Sequence, residues 1–564
     1  MSACQSTSSG PDVEQPEWDP AAPLALVQRA EASHGRQAAT LFLRAAEAYG
    51  ALDDWVTAEA TLQQLDPQAL STTDEVTFYL AALRTAIRLE QPDRAQAAWD
   101  TATLGMTEHR SLRTSDYYPL TSELCELLRR YRCAFDALVQ YQPEAANRQA
   151  VHDRLWTLMN RVGPNATQTL TGGERDPWWQ LQLAMTTSFS VHEQRGRFSA
   201  WTELWPNHPF AVTPPTVLAR LLLPVWVPRS IGLMIPLNGS LAAAGRAVRD
   251  GFIAAYLHDP TPNKPRLKIY DTAIAATPEL YEQSLVDGME LIVGPLSKQN
   301  LRTMAGLNPE VPVLGLNYLD GPGTPALRQL GLAIEDEART IVDRLLLDAR
   351  ERLLVVHNGE DWALRGVQTV AAAWPYGIEI QPFADIKTIP EAIGEAMRVT
   401  ASQTRRQALS DLLGVDLQFL PRPRSDLDGV VAFVSHIEAA ALVPALKFHF
   451  ADHLPVYASS QSARTINSLS ELNGFHISAM PFDLDDDSLT ASIKQNFDVA
   501  RSTVGALYAL GVDAYRIADR WQLFATENDQ IYGSTGRLHL DADGRIRRTL
   551  AWALVSRGEL TPTL

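Results

Sequence analysis

The spacing of apolar positions divides this chain into three stretches. Residues 5–23 are polar and carry several prolines, with no pattern that a packed element would need. From residue 24 to about 225, apolar residues recur at helical intervals among many Ala, Leu and Arg, without the strict alternation of a half-buried strand. The spacing changes again near Pro214-Pro215. From Ser230 onward, short apolar runs alternate with amphipathic stretches of helical length, which predicts βαβ units and a largely parallel sheet. The predicted strands are Ile231–Leu237, Leu267–Tyr270, Leu291–Val293, Val313–Leu316, Leu353–His357, Ile378–Phe383, Gly429–Val434 and Val456–Ala458. Helices are predicted at Gly245–Leu257, Glu335–Ala349 and His436–Phe450, and Leu489–Phe524 reads as one long helix or two broken near Gly511. Two closing strands, Gly536–Leu540 and Ile546–Trp552, flank Asp541-Ala542-Asp543-Gly544, a turn signal. So many strands exceed one doubly wound sheet, and the pattern predicts two lobes.

A loose repeat runs through the helical stretch. Ala46, Tyr49, Ala58 and Leu62 occupy the small and aromatic positions of a tetratricopeptide repeat that closes at Asp66-Pro67. Leu83, Ala86, Ala95 and Trp99 offer a second pair, and Cys125, Ala134 and Leu138 a third. The intervals Ala58 to Ala95 and Ala95 to Ala134 are 37 and 39 residues, a little longer than the ~34-residue period. Small residues let paired helices approach, and stacking buries their apolar faces. Such an array either presents a surface to partners or serves as a spacer.

Length and charge narrow the possibilities. A chain of 564 residues implies roughly three or four units at about 150 residues each. A formal charge of −17 excludes non-specific nucleic-acid binding, which needs a basic footprint. No apolar run approaches the ~18 residues of a membrane helix. The three cysteines are Cys4, Cys125 and Cys133. Ser122–Tyr141 reads as one helix, which would set the latter two about 12 Å apart along the axis, beyond the ~7 Å reach of a disulfide. Two separate buried thiols are therefore expected. Cys4 stands in Met1-Ser2-Ala3-Cys4-Gln5, followed by the polar stretch. Two readings fit these residues: a start Met with a chance cysteine, or the end of a bacterial lipobox whose cysteine carries acyl chains.

The α/β portion opens with Ile231-Gly-Leu-Met-Ile-Pro-Leu-Asn-Gly-Ser240, Gly245-Arg246 and Gly251-Phe252. These residues resemble the start of type I periplasmic solute-binding proteins. The likeness is sharper to a family of outer-membrane lipoproteins that activate a bifunctional class A penicillin-binding protein. Leu267-Lys-Ile-Tyr-Asp-Thr272, Ile292-Val-Gly-Pro-Leu296, Ile334-Glu-Asp-Glu-Ala-Arg339, Val456-Tyr-Ala-Ser-Ser-Gln-Ser462 and Ala509-Leu-Gly-Val-Asp-Ala514 extend it, and Trp201 to Pro209 matches the close of the helical half. The resemblance implies an α + α/β architecture: a lipid-anchor tether over 1–23, a TPR-like α-solenoid over 24–228, and a two-lobed periplasmic-binding-protein-like domain over 229–564. It favours the lipobox reading, with Cys4 lipidated on the periplasmic face of the outer membrane; Gln5, rather than Asp, suits that destination. The implied partner is a class A penicillin-binding protein, a peptidoglycan synthase. The chain departs from the family in its short His258–Arg266 segment, in the Arg- and Leu-rich insertion Thr400 to Asp428 with its Pro421-Arg-Pro-Arg424 break, and in lacking cysteines in its C-terminal half.

Catalytic patterns are missing. None of the six lysines has Ser three residues before it, as a penicillin-binding enzyme needs, and no Gly-x-Ser-x-Gly or Walker loop occurs. Gly321-Pro-Gly323 reads as a plain loop. His449 and His453 would share one helical face but lack a third ligand, and Asp483, Asp485 and Asp487 lack the Gly and Glu of a calcium loop. No enzyme, cofactor or metal is expected. What a two-lobed α/β fold does offer is a cleft beyond the carboxyl ends of its strands. That rule nominates Asn238, Gly239, Ser240, Pro295, Leu296, Asn317, Ser435, His436, Ser459 and Ser460. Gly239 and Gly294 would let amides approach a ligand, whereas Ser240 and Ser460 read as helix caps. No acid-and-arginine pair for an amino acid stands among them, which weakens the alternative reading of a receptor for a small solute or muropeptide.

Overall fold

The computed structural model describes residues 22–563 except 109–115, 144, 163–175, 320, 322–325, 416–422, 466–467, 485–486, 503 and 528. Two units emerge: the chain up to Gln182 with Trp205–Ala219, and Leu183–Leu204 with Arg220 onward. Among the described residues no helix is long and apolar enough to cross a membrane.

The first unit is helical, and its helices pair in sequence order. Gly35–Ala51 packs on Trp55–Leu62, Thr72–Arg88 on Pro92–Glu108, and Tyr117–Leu127 on Tyr131–Tyr141. Of the repeat positions, Ala46, Ala58, Leu62, Leu83, Ala86, Ala95, Cys125, Ala134 and Leu138 are buried, whereas the two aromatic ones, Tyr49 and Trp99, are only partly so. Caps mark several starts, with Asp54 accepting from the Thr57 amide and Ser71 from Asp74. The third pair corrects one expectation. Ser122–Tyr141 is not one helix, because Arg129 takes a left-handed φ of 55° and the Arg130 amide returns to the Cys125 carbonyl at 2.6 Å. The reversal brings the two Cα atoms to 5.7 Å, and Cys125 and Cys133 form a disulfide.

The second unit has two lobes, each a helix-covered sheet. In the first lobe lie β1 (Ser230–Ile235), β2 (Arg266–Asp271), β3 (Leu291–Val293), β4 (Val313–Gly315) and β5 (Leu327–Leu330), mutually parallel. The second lobe holds β6 (Leu353–His357), β7 (Ile378–Pro382), β8 (Gly429–Phe433), β9 (Val456–Ala458) and β10 (His476–Ala479), again parallel. The chain then returns to the first lobe for β11 (Gln530–Tyr532), β12 (Arg537–Leu540) and β13 (Arg545–Thr549). It ends in the second lobe with β14 (Ala551–Ser556) and β15 (Glu559–Thr563). The resulting orders are β11-β12-β13-β5-β4-β3-β1-β2 and β15-β14-β10-β9-β8-β6-β7. Three crossovers therefore join the lobes, after β5, after β10 and after β13. The strand predicted at Ile546–Trp552 is really two, divided at Leu550 where the chain changes sheets.

Every residue of β1, β6 and β8 is buried, as expected of strands covered on both faces. The first-lobe core closes around two crossing helices, Ala242–His258 and Gly505–Asp519. Gly251 and Gly511 permit that crossing: a Cβ on either would sit 2.1 Å from the Tyr508 carbonyl oxygen or 2.2 Å from that of Val248. Gly511 thus lies inside a helix, and the expected break falls earlier, between Asn496 and Gly505. The segment Leu183–Leu204 joins this core through Phe189, which packs with Phe252 and Tyr515.

Candidate functional site: the strand ends between the lobes

The first crossover leaves the carboxyl end of β5 and the second leaves that of β10, so the strand ends of both sheets converge on the junction. The residues nominated from sequence all lie on these ends. Most spend their polar groups on one another. Asn238 Nδ2 donates to Asp271 Oδ2 at 2.5 Å, while Asp271 Oδ1 accepts from the Leu237 and Ala273 amides. Burial pushes the Asp271 carboxyl up, but those donors outweigh it and hold the group below its ordinary range. Asn317 Nδ2 donates to the Leu296 carbonyl at 3.0 Å and the Leu316 amide to that of Pro295, tying the β4 loop to the β3 loop. Gly294 serves packing: at φ 111° its Cα lies where a Cβ would meet the Met234 carbonyl oxygen at 2.0 Å, and its amide donates to Leu314. Gly239, at φ 74°, turns the chain in open space.

On the second lobe, the Ser435 amide and hydroxyl both donate to Glu438 Oε2, at 2.7 and 2.8 Å, and Asn358 Nδ2 joins them. His436 Nδ1 donates to the Ser462 carbonyl at 3.1 Å. The capping roles expected of two serines do not hold. The helix Ala242–His258 takes Leu241 as its N-cap, leaving Ser240 exposed beyond it. Ser460 instead grips a buried acid from another element, with its amide and hydroxyl donating to Glu337 at 2.8 and 2.9 Å. Ser459 is the exception among the nominated residues: its hydroxyl is buried without a partner.

Sequence reasoning missed the acids at the centre of these contacts, Asp271, Glu337 and Glu438, and also Asp336. Asp336 lies beside Arg339, Arg547 and Arg548; burial raises its carboxyl pKa, and the three guanidinium groups oppose that rise. A usable signal was present, since three consecutive acids, Glu335 to Glu337, exceed what one helix start needs. The other motif candidates dissolve. The helix His436–Phe448 stops before His449, and Phe450 at φ 57° turns the chain away, so His449 and His453 share no helical face. His449 donates to the Pro390 carbonyl. Asp487 caps the helix Ser488–Asn496, and Asp485 lies outside the described residues. Cys4 and Pro421 also lie outside them. No cluster of three or more His, Cys, Asp or Glu fit to hold a metal occurs among the described residues.

Known proteins resemble this chain along nearly its whole length. A family model described as "LppC putative lipoprotein" matches residues 19–558. A Vibrio cholerae serotype O1 protein named penicillin-binding protein activator LpoA is 25% identical over 590 aligned residues, covering 98% of this chain and 95% of its own. The protein of the same name from Photobacterium profundum is 25% identical over 564 aligned residues, covering 95% and 90%. The crystal structure of full-length LpoA from Haemophilus influenzae shares the fold, with a TM-score of 0.52 at 20% identity over 96% of this chain and 98% of that one.

Proposed function

The chain belongs to the LppC lipoprotein family, and from that membership we propose that it activates a penicillin-binding protein by contact rather than by chemistry of its own. The observation that carries this reading is coverage: relatives named for that activity align with 98% of the chain, helical repeats and lobes alike. The synthase is a class A enzyme of the inner membrane, and acylated Cys4 holds the chain in the outer membrane. Residues 1–23 form the tether, the helical repeats of 24–228 supply reach across the periplasm, and the two-lobed part of 229–564 docks. The Cys125–Cys133 disulfide supports an oxidising compartment. Docking raises the synthase's rate only if the active conformation is bound more tightly than the resting one.

The alternative is a receptor for a small solute or cell-wall fragment between the lobes. The strand-end side chains weigh against it, because Asn238, Asn317, Ser435, His436 and Ser460 are engaged within the protein. The deciding experiment titrates the acyl-free full-length chain into the cognate synthase and follows glycan polymerisation and peptide crosslinking. Rates that climb to a plateau support activation. Equal rates at saturating protein, with a saturable thermal shift on adding a muropeptide, would transfer support to the receptor.

A further inference from the structure

Apolar residues exposed singly are ordinary on a protein surface; a contiguous row of them is not. The second lobe carries such a row on the helix His436–Phe448. Apart from His436 and Glu438 at its start, Lys447 is the one polar side chain of this helix. A surface helix ordinarily keeps one face apolar and the other polar, but this one is apolar on two. Ala439, Leu442, Ala445 and Leu446 face inward and are buried in the second-lobe core. Ile437, Ala441, Pro444 and Phe448, spaced i, i+4, i+7 and i+11, share a stripe on the other side. Ile437 is 67% exposed and Phe448 74%, and Pro444 stands open to solvent between them. From Ile437 to Phe448 the ridge runs roughly 16 Å. Phe450, also exposed, adds a second ring just past the helix end.

The shape of this ridge and the charges beside it decide what fits. A small molecule needs a concave pocket, and a helix ridge is convex. Its natural counterpart is a groove on another protein, which takes up side chains at this helical spacing. The neighbouring helix Ile389–Ala396 exposes Glu391 and Glu395, and Asp452 stands exposed beyond Phe450. Glu471 is exposed on the short turn Ser470–Leu472, which also packs on the ridge helix. Lys447 is exposed on the helix itself, so four acids face one base. Asp385 and Lys387 cancel at the adjoining turn Ile386–Thr388. Phosphate head groups would be repelled by this surround. A second copy would bring acid against acid, on a chain whose formal charge is already −17. An apolar groove with a basic rim, on a different protein, meets both the shape and the charge.

Taking the contact with a penicillin-binding protein proposed above as the premise, we infer that the ridge formed by Ile437, Ala441, Pro444 and Phe448 is the docking edge of the second lobe. Its counterpart is an apolar groove rimmed by Arg or Lys on the periplasmic part of the synthase. Ile437 and Phe448 are the anchors, while the surrounding acids set orientation and association rate.

The test measures binding of the acyl-free full chain to the detergent-solubilised cognate synthase, alongside glycan polymerisation. Ile437→Ser/Phe448→Ser should weaken binding about tenfold or more and move half-maximal activation by the same factor. Its melting should stay unchanged, because both side chains are exposed. Glu395→Lys/Asp452→Lys should weaken binding about two- to threefold, chiefly through slower association, and flatten its salt dependence. Ile274→Ser, at a first-lobe position 75% exposed, should bind as wild type does. Folded ridge and rim variants that bind like wild type overturn the docking edge and leave the activator function standing. So does an equal loss in Ile274→Ser. A wild-type dimer in sedimentation that Ile437→Ser/Phe448→Ser separates would give the ridge to a second copy and overturn it too. A wild-type chain that neither binds nor stimulates the synthase overturns the docking edge and the activator function together.

Discussion

In the helical unit each helix leans on its neighbour in sequence, Thr72–Arg88 on Pro92–Glu108 and Tyr117–Leu127 on Tyr131–Tyr141. The two-lobed unit closes instead through pairs far apart in the chain. The Tyr515 hydroxyl donates to Asp259, 256 positions away, and Arg520 donates to the Phe189 carbonyl, 331 away. A stack of near neighbours confines damage to the repeat that is hit. A core assembled from distant segments transmits it.

The comparison breaks first at Gly511. Two helix backbones cross there, and a side chain would drive into the Val248 carbonyl, which cannot retreat as a flexible side chain can. Gly511→Val should cost about 4–5 kcal/mol. The helix Ala242–His258 should lose its hydrogen-exchange protection while Thr72–Arg88 keeps its own. The matching test in the helical unit, Ala95→Val at another fully buried position, should cost only about 1–3 kcal/mol by overpacking and stay within its helix pair. Equal losses from the two substitutions would remove the distinction.

Phe189 sharpens where one unit ends. It is 4% exposed, stacks on Tyr515 with centroids 6.1 Å apart, and lies under the Arg516 guanidinium at 4.7 Å. Beside it the Val191 amide donates to Asp519 and Arg520 donates to the Ser188 carbonyl. Phe189→Ala should therefore lower the two-lobed unit by about 3–4 kcal/mol, although the residue precedes β1 by some forty positions. A chain beginning at Leu183 should melt higher than one beginning at residue 229. Calorimetry that found only the helical transition lowered by Phe189→Ala would place the boundary elsewhere.

Which features the sequence made legible follows the same division. Strands β1, β3, β6, β8 and β9 were readable because burial on both faces writes an unbroken apolar run. Strands β5 and β10 were not, since Arg328, Gln329, His476 and Ser478 interrupt them. Tertiary contacts shelter two of these polar groups: the Arg328 guanidinium lies 4.0 Å over the Trp521 ring, and Gln329 Oε1 accepts from the Leu319 amide. Helix pairs were readable as periodicity, but the turn at Arg129 carries neither Gly nor Pro, so Cys125 and Cys133 seemed too distant to bond. At the strand ends, the topological rule located Asn238, Asn317, Ser435 and Ser460. It could not supply Asp271, Glu438 or Glu337, which reach those residues only through folding.

The disulfide offers a gentler test. Both of its cysteines lie in the helical unit and the two-lobed unit has none. Closing so short a loop restricts the unfolded chain modestly, by about 2.5 kcal/mol on the loop-entropy model. Reductant, or Cys125→Ser/Cys133→Ser, should lower the helical transition by that order and leave the other in place. A shift of both transitions would mean that the units unfold together.

The smallest effect separates the units by pH. His208 is buried beside Trp178, with ring centroids 4.2 Å apart, and its Nδ1 accepts from the Phe210 amide. Burial, and then the neighbouring His152, pull its pKa from 6.5 down to about 4. His152 itself is lowered by burial, although its ring donates to the Thr213 carbonyl. A folded-state pKa below the unfolded one means that the unfolded chain takes up a proton the native unit refuses. The stability contributed by keeping His208 neutral is therefore full above about pH 6.5 and is lost as pH falls toward 4. The helical unit should melt earlier at pH 5 than at pH 7.5, with a matching change in tryptophan emission. His208→Asn keeps an oxygen able to accept from the Phe210 amide, yet it cannot titrate, so it should flatten this dependence for the helical unit alone. The two-lobed unit, whose His357, His476 and His539 are also lowered by burial, should keep its own acid response unchanged in that variant. An undiminished pH slope in the helical transition of His208→Asn would assign the acid sensitivity to other groups.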